Sequence, residues 1–512
     1  MNSNMTEQLD QLFRMWDRGL CPGAQVLIRQ HGKTLYEKCF GYGNLENKLK
    51  IHKESIFHVA SISKEFTVMS ILLLWKEGKL DLDDNIKKYL DEYINIETPI
   101  TIRQMMNNVS GLRDQWELLF LRGIKINDQI DMDDINTTIS LQKSLNFEPQ
   151  SQYLYSNTGF HLLALIVEKL SQMSFPQFVK ERIFTPLGMT HSFVRESFTQ
   201  IVPNLTYSYQ DEGDDTFYYN PLNYALYGPT SVNTCASDLC KVLDEYIHPN
   251  VINPEIIELM KKPVLLSNGK TAEYCGGLIT HKLHGLDVFG HGGADAAYRG
   301  EIICIPEKEL ELVLISNTTT YAMSKLADKA ACIVLGLPDC TEPAVPEHEN
   351  APARSGVFLT ALPDDPMFVD ITEQNGTFYM QREWCRTELV KEEDGGYRIG
   401  SLDEKIYFTD KEILYRLPAR VLTLTPAKPA DPALFQEGIY YNDETDSFMK
   451  LVKVENTCEI HMRRHGKTTL YQSTSGSIIF RMDANLVMYV KAENDTIIMD
   501  GGRVKHIIYQ KQ

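Results

Sequence analysis

At 512 residues, with 43% hydrophobic and 23% charged side chains, the chain has room for two or three domains and a globular composition. A formal net charge of −18 argues against nucleic acid or an anionic membrane surface as a partner. The ten cysteines form no C-x-x-C pair and no paired Cys/His zinc spacing, so no metal or other cofactor is expected and the thiols read as buried and reduced.

Residues 1–18 place Met5, Leu9, Leu12, Phe13 and Trp16 on one helical face and lack the apolar core of a signal peptide. No run approaches the ~18 consecutive apolar residues of a membrane span, and a cytoplasmic location is expected. Residues 24–29 and 34–40 read as two strands joined by Gln30-His31-Gly32-Lys33. A short apolar run then leads into Ser61, and Phe66, Met69, Leu73 and Leu74 follow at helical steps until Gly78. Ser61 therefore sits at a helix start, where free N–H groups and the helix dipole favour a developing anion. Lys64, three residues on, shares its face. A lysine activates a serine only where its surroundings disfavour the ammonium form. Three other S-x-x-K pairs, Ser140/Lys143, Ser267/Lys270 and Ser447/Lys450, are expected to be chance pairings on a solvated surface.

Residues 102–107 read as a helix, and 114–150 as an insertion that lines a pocket. A turn-rich approach then brings Tyr155-Ser156-Asn157 to the start of a strong helix. A tyrosine beside a lysine ammonium is pushed toward phenolate and becomes a usable base. Asn157 can orient the lysine or bond a substrate amide. The Y-x-N pattern also occurs at Tyr42, Tyr93, Tyr218 and Tyr440, so spacing alone does not single it out. Residues 207–227 are aromatic and acidic, and read either as a solvated loop or as a pocket wall. In the second case Asp211, Asp214 and Tyr218 are candidates to bind a cationic substrate. A strand at 286–289 runs into Gly290-His291-Gly292-Gly293, where the glycines let a substrate approach the backbone closely. Further strands are expected at 300–305 and 310–316.

Prolines 338, 343, 346 and 352 mark a linker, and prolines 426, 429 and 432 a second break. The expected division is a domain at 1–336, a linker at 337–353, a small antiparallel β-barrel at 354–425, a linker at 426–433 and a second barrel at 434–512. Neither barrel shows a titratable cluster that suggests chemistry of its own.

Ser61-x-x-Lys64, Tyr155-x-Asn157 and His291-Gly292-Gly293, in that order, resemble the penicillin-recognising serine hydrolases of the class C β-lactamase branch. The phrases at 100–106, 109–112, 183–189 and 290–293 support the likeness, which covers roughly residues 8–335. The layout, a hydrolase domain followed by two barrels, is most similar to that of D-aminopeptidases. The resemblance implies an α+β fold, with an antiparallel sheet, flanking helices and a helical subdomain. It implies an acyl-enzyme on Ser61, proton management by Lys64 and Tyr155, and an oxyanion hole of the Ser61 and Ala294 N–H groups, with Gly292 and Gly293 against the substrate. The substrate is then a small molecule or short peptide, and a homodimer is compatible with the layout. His291 stands where many of these enzymes carry a lysine, which weakens the case for carboxylate recognition. The last barrel reads as too short to send a long loop into the pocket. The expected activity is hydrolysis of an amide, short peptide or ester, D-aminopeptidase-like. The alternatives are a broad esterase, a β-lactamase-type hydrolase, or a protein that binds a ligand without turnover.

Overall fold

Period-two apolar runs build the centre of the N-terminal half. In the computed structural model, which describes residues 3–211, 215–319, 322–339, 343–360, 366–381, 386–399, 404–417, 420–482 and 486–512, these runs form one antiparallel sheet. Its strands are β1 (Ala24–Gln30), β2 (Lys33–Phe40), β3 (Tyr274–Cys275), β4 (Leu278–Leu283), β5 (Leu286–Asp295), β6 (Tyr298–Ile305) and β7 (Leu310–Ser316), in the order β3-β4-β5-β6-β7-β1-β2. On β7, Leu310, Leu312 and Leu314 enter one core while Val313 and Ile315 enter the other. Both faces are covered, so the strand reads as nearly continuous apolar sequence. Its one charge, Glu311, is paired with Arg29 at 2.8 Å.

The helices that bear on the site are, in chain order, α1 (Ser3–Leu12), α2 (Ser63–Lys76), α3 (Ile102–Met106), α4 (Gln115–Leu121), α5 (Met132–Ser140), α6 (Asn157–Ser171) and α7 (Met323–Leu335). Leu9, Phe13 and Trp16 pack with α7 against the β7 leucine face, the use their helical spacing predicts. Helix α2 is buried on every side from Ser63 to Leu72, which makes it the axis of the opposite core. No helix among the described residues is long and apolar enough to cross a membrane.

Downstream, eight strands from Gly356–Thr360 to Val421–Pro429 run antiparallel and close into a barrel, the first pairing with the last. A second ring follows from Gly438–Asn442 to Ile507–Lys511, again closed end to end. Within it, Gly466–Thr469 and Tyr471–Ser473 act as one bent strand. The first half bonds Thr457–Met462 and the second bonds Ile478–Arg481. Residues 426–429, expected to belong to a linker, are instead the end of the strand Val421–Pro429. Ala427 there pairs with Val357 on one side and with Ser473 on the other, so the two rings share this strand.

The second barrel docks on the helical part. Leu118 and Leu121 of α4 join its core beside Tyr440, Phe480 and Met488, whereas Leu119 of the same helix joins the core built around α2. The buried Arg113 guanidinium donates to Glu444 at 2.7 Å and to the carbonyls of Lys505 and His506 at 3.1 Å each. Glu444 also accepts from the Lys143 and Ser144 N–H groups. Arg464 pairs with Asp128 on the rim.

Candidate active site

Ser61 lies in a 3₁₀ turn, Ala60–Ile62, that feeds directly into α2. Ala60, just before it, is held at φ +48°, a left-handed conformation that an alanine adopts only when its surroundings impose it. Helical spacing carries Lys64 back toward the serine: its Nζ is 3.0 Å from Ser61 Oγ and donates to the Pro229 carbonyl at 2.9 Å. Burial holds the lysine well below its ordinary value, against the pull of Asp114. Burial thus favours the free amine, the form able to take a proton from a hydroxyl.

Tyr155 covers this pair, with Lys64 Nζ 4.8 Å from its ring centroid. The expected phenolate does not follow. Burial pushes the Tyr155 hydroxyl up, and its hydrogen bond with Ser61 only partly offsets this. Burial thus favours the intact Tyr155 hydroxyl over the phenolate. Asn157, the first residue of α6, gives both its backbone N–H and its Nδ2 to Asp114 Oδ2 at 2.8 Å. It does not hold Lys64; its carbonyl oxygen is what remains for the cleft it lines.

His291 sits on β5, just past the point where β4 stops pairing at Gly290. From 291 to 295, β5 bonds only β6, so alternate backbone N–H groups turn toward the cleft. Ala294 lies in this run, across from Ser61. Gly293 makes the approach possible, since a Cβ there would come within 2.3 Å of the Val59 carbonyl oxygen. His291 Nδ1 is 2.6 Å from the Gly292 carbonyl, which can only accept, so this nitrogen carries the proton. Nε2 then accepts from the Tyr274 hydroxyl at 3.1 Å. Burial lowers the imidazole to about 3, which leaves it neutral as the sequence suggested.

These groups open onto a cleft of about 1100 Å³ lined by Ser61, Tyr155, Asn157, His291, Gly292, Gly293 and Ala294. Trp116, Glu117, Phe120 and Ile126 wall it, in agreement with the expected insertion at 114–150. At its floor, Asp295 accepts from Thr230 Oγ1 at 2.8 Å, meets His58 Nε2 at 3.0 Å and receives the Tyr224 hydroxyl. Glu301, behind Gly292, is pushed up to about 8 by burial.

Two expectations about substrate binding fail. Asp211 and Tyr218 lie on a hairpin, Tyr209–Asp211 with Phe217–Tyr219, that does not line the cleft. Asp211 is tied to Arg18 at 3.0 Å, and Tyr218 is exposed. Asp214 is outside the described residues. The last barrel, read as too short to reach the pocket, does reach it, because docking on α4 brings its final turn to the rim. Gly502 and Arg503 line the cleft, and the Arg503 guanidinium carbon lies 4.9 Å from the Tyr155 ring centroid. Sequence reasoning missed Arg503, whose only signal is an isolated Gly501-Gly502-Arg503 between two strands.

Among the described residues, the metal-ligand types that come together are His191, Cys235 and Asp238. The Asp238 carboxylate is taken by the His191 N–H, Ser192 and Lys241, and none of the three lines the cleft. Of the eight described cysteines, all but Cys39 are buried.

The sequence profile described as Beta-lactamase matches residues 8–333. Penicillin-binding protein 4* of Bacillus subtilis (strain 168) is 27% identical over 430 residues, 80% of this chain and 95% of that protein. D-aminopeptidase of Gluconobacter oxydans (strain 621H) is 27% identical over 320 residues, which is 62% of this chain and only 59% of that protein. The octameric penicillin-binding protein homologue from Pyrococcus abyssi superposes with a TM-score of 0.58 at 21% identity, covering 83% of this chain and all of that one. D-amino acid amidase from Ochrobactrum anthropi SV3 gives 0.54 at 21% identity, over 65% of this chain and 99% of its own. At such identities the structural likeness speaks for the fold. The profile spans most of the chain and runs through Ser61, Lys64, Tyr155 and His291: this protein belongs to the beta-lactamase family.

Proposed function

We propose that the chain is a serine hydrolase that cleaves an amide, short-peptide or ester bond through an acyl-enzyme on Ser61, of the D-aminopeptidase or D-aminoacyl amidase kind. The observation that carries this reading is the buried Lys64 amine 3.0 Å from the Ser61 hydroxyl, where burial favours its uncharged form. Ser61 Oγ attacks the carbonyl carbon while its proton passes to Lys64 Nζ. The oxyanion faces the N–H groups of Ser61 and Ala294. As the bond to the leaving nitrogen or oxygen breaks, Tyr155 hands that atom a proton and is reprotonated from Lys64. Water then attacks the acyl carbonyl, gives its proton to the same pair, and Ser61 leaves with a proton restored. His291, with both ring nitrogens engaged, supports the β5 edge and takes no part in proton transfer.

The names of the relatives, D-aminopeptidase and D-amino acid amidase, support D-aminoacyl substrates as the first class to try. Self-association belongs to the same proposal, supported by the octameric Pyrococcus abyssi homologue, and light scattering measures it. The test is fluorophosphonate labelling with peptide mapping, alongside D- and L-aminoacyl anilides, p-nitrophenyl esters and nitrocefin. Expected is label on Ser61, turnover of D-aminoacyl compounds, and loss of both in Ser61→Ala. Label at another serine, or one equivalent of product without turnover, overturns the reading in favour of a ligand-binding protein.

A further inference from the structure

The turn at the rim of the cleft is held entirely by its backbone. Glu117 accepts from the Arg503 N–H with both carboxylate oxygens, at 3.0 and 2.9 Å. The Arg503 carbonyl accepts from the Asp114 N–H at 3.2 Å and from Asn146 Nδ2 at 2.9 Å. Asn146 Oδ1 accepts from the Lys505 N–H at 2.7 Å, and Arg113 holds the next two carbonyls. Gly501 belongs to this clamp, because a Cβ there would stand 2.8 Å from Glu117 Oε2. The backbone is fixed and the side chain is not engaged. Among the described residues the Arg503 guanidinium makes no hydrogen bond and no ion pair, and it is solvent-accessible within the cleft. Against desolvation in the cleft, Asp114 and Glu117 attract the guanidinium through space and raise it, but the hydrogen bonds of the nearby acids go elsewhere: Asp114 to Asn157 and the Trp116 N–H, Glu117 to the turn itself, Asp295 to His58, Thr230 and Tyr224.

A planar, permanently charged fork, positioned by a rigid backbone and stacked on a tyrosine, is built for a carboxylate. Its reach is defined. Arg503 Cζ and Lys64 Nζ lie 4.9 and 4.8 Å from the same Tyr155 centroid, which bounds their separation at 9.7 Å. Lys64 Nζ is in turn 3.0 Å from Ser61 Oγ.

We infer that Arg503 is a specificity-determining residue that anchors a carboxylate of the substrate, about three to six bonds from the carbonyl that Ser61 attacks. This rests on the Ser61 reading above and deepens it: the preferred substrates are anionic acyl compounds, such as peptides with a free carboxylate, over their neutral counterparts. It replaces the cationic preference expected from the acidic stretch at 207–227.

Matched esters test it: p-nitrophenyl adipate against p-nitrophenyl hexanoate places the charge on the acyl side, and 3-carboxyphenyl against phenyl butyrate places it on the leaving group. The full-length protein is expected to favour the carboxylate member of at least one pair, mainly through KM, and less so at high salt. In Arg503→Gln the ratio of kcat/KM values within that pair should fall roughly 30-fold, with Arg503→Lys in between, as loss of a charge-assisted fork predicts. Fluorophosphonate labelling of the variants reports that the Ser61 site is formed. No preference in either pair, or a ratio unchanged in Arg503→Gln, overturns the inference. Calorimetry of adipic acid monoamide with Ser61→Ala protein separates the two readings: Arg503-dependent binding without turnover in the wild type sustains the arginine and sinks the nucleophile, and turnover with no Arg503-dependent binding does the reverse.

Discussion

The cleft has two unlike walls. The wall made by the α2 start, Tyr155 and His291 is buried, and burial pushes these groups toward their neutral forms: it lowers Lys64 and His291 and raises the Tyr155 phenol. The wall made by the last barrel presents one permanent charge, Arg503, open to solvent. Desolvation explains both. Groups that must pass a proton work where the charged form is disfavoured, and a group that must attract an ion works where its charge survives. Reaction and selection are thus divided between parts of the molecule built from different strands.

The largest effect expected from disturbing this division is at Lys64. Lys64→Ala should lower kcat by about 10⁴-fold with little change in KM, as removal of one member of a catalytic unit does. In the intact enzyme kcat/KM should rise with pH, because the reactive form of Lys64 is the free amine. That rise should fall well below the ordinary lysine range, since burial has depressed the group. A limb centred near 10 in steady-state kinetics would mean that the inner wall is charged after all.

Glu65, on the same buried helix, sharpens the picture through stability. Burial raises it to about 8, although the Tyr246 hydroxyl donates to it at 2.6 Å. The folded protein therefore holds a proton there that the unfolded chain releases near 4.5. Its contribution is neutral at low pH and becomes destabilising as pH rises from about 4.5 to 8. Glu65→Gln removes that dependence, so the variant should gain on the wild type across this window, by an order of about 4 kcal/mol at pH 8, and by no more above it. Urea unfolding at pH 5, 6.5 and 8 measures it. A constant difference between the two proteins would contradict the buried neutral acid.

Arg113 connects the walls. Arg113→Met strands Glu444 without its buried partner and frees the carbonyls of residues 505 and 506. Its removal should weaken barrel docking by about 3 kcal/mol. Ser61 should still label with fluorophosphonate, while discrimination between charged and neutral esters declines and the barrel becomes a target for limited proteolysis. Parallel loss of labelling would show that the walls are one cooperative unit.

The inner wall was legible because its groups lie close in sequence or carry a signature. Ser61 and Lys64 are one helical turn apart, His291 is flanked by glycines, and the strands around them alternate with period two. Two readings there turned on electrostatics. A phenolate at Tyr155 requires a lysine ammonium that burial disfavours, and the stretch at 207–227, which reads either as a solvated loop or as a pocket wall, divides between the two: Tyr224 lines the cleft, while Asp211 turns to Arg18. The outer wall was illegible for a geometric reason. Its position follows from which face of α4 the last barrel covers, and Leu118, Leu119 and Leu121 look alike in sequence although they serve two cores. Prolines 426 and 429 misled in the same way: proline punctuation was read as a break, but the strand that contains them stitches the barrels together.

The clamp between Glu117 and Arg503 spans 386 residues of chain. Contacts of such sequence separation form late, after the local hairpins and helices. During synthesis the N-terminal portion emerges and folds first, at a few residues to about twenty per second. Where that portion completes its fold before the last barrel is made, a nascent chain carries the Ser61 site for roughly tens of seconds with no arginine across from it. A molecule caught at that stage reacts without discriminating by charge, and selectivity arrives only when the final barrel closes.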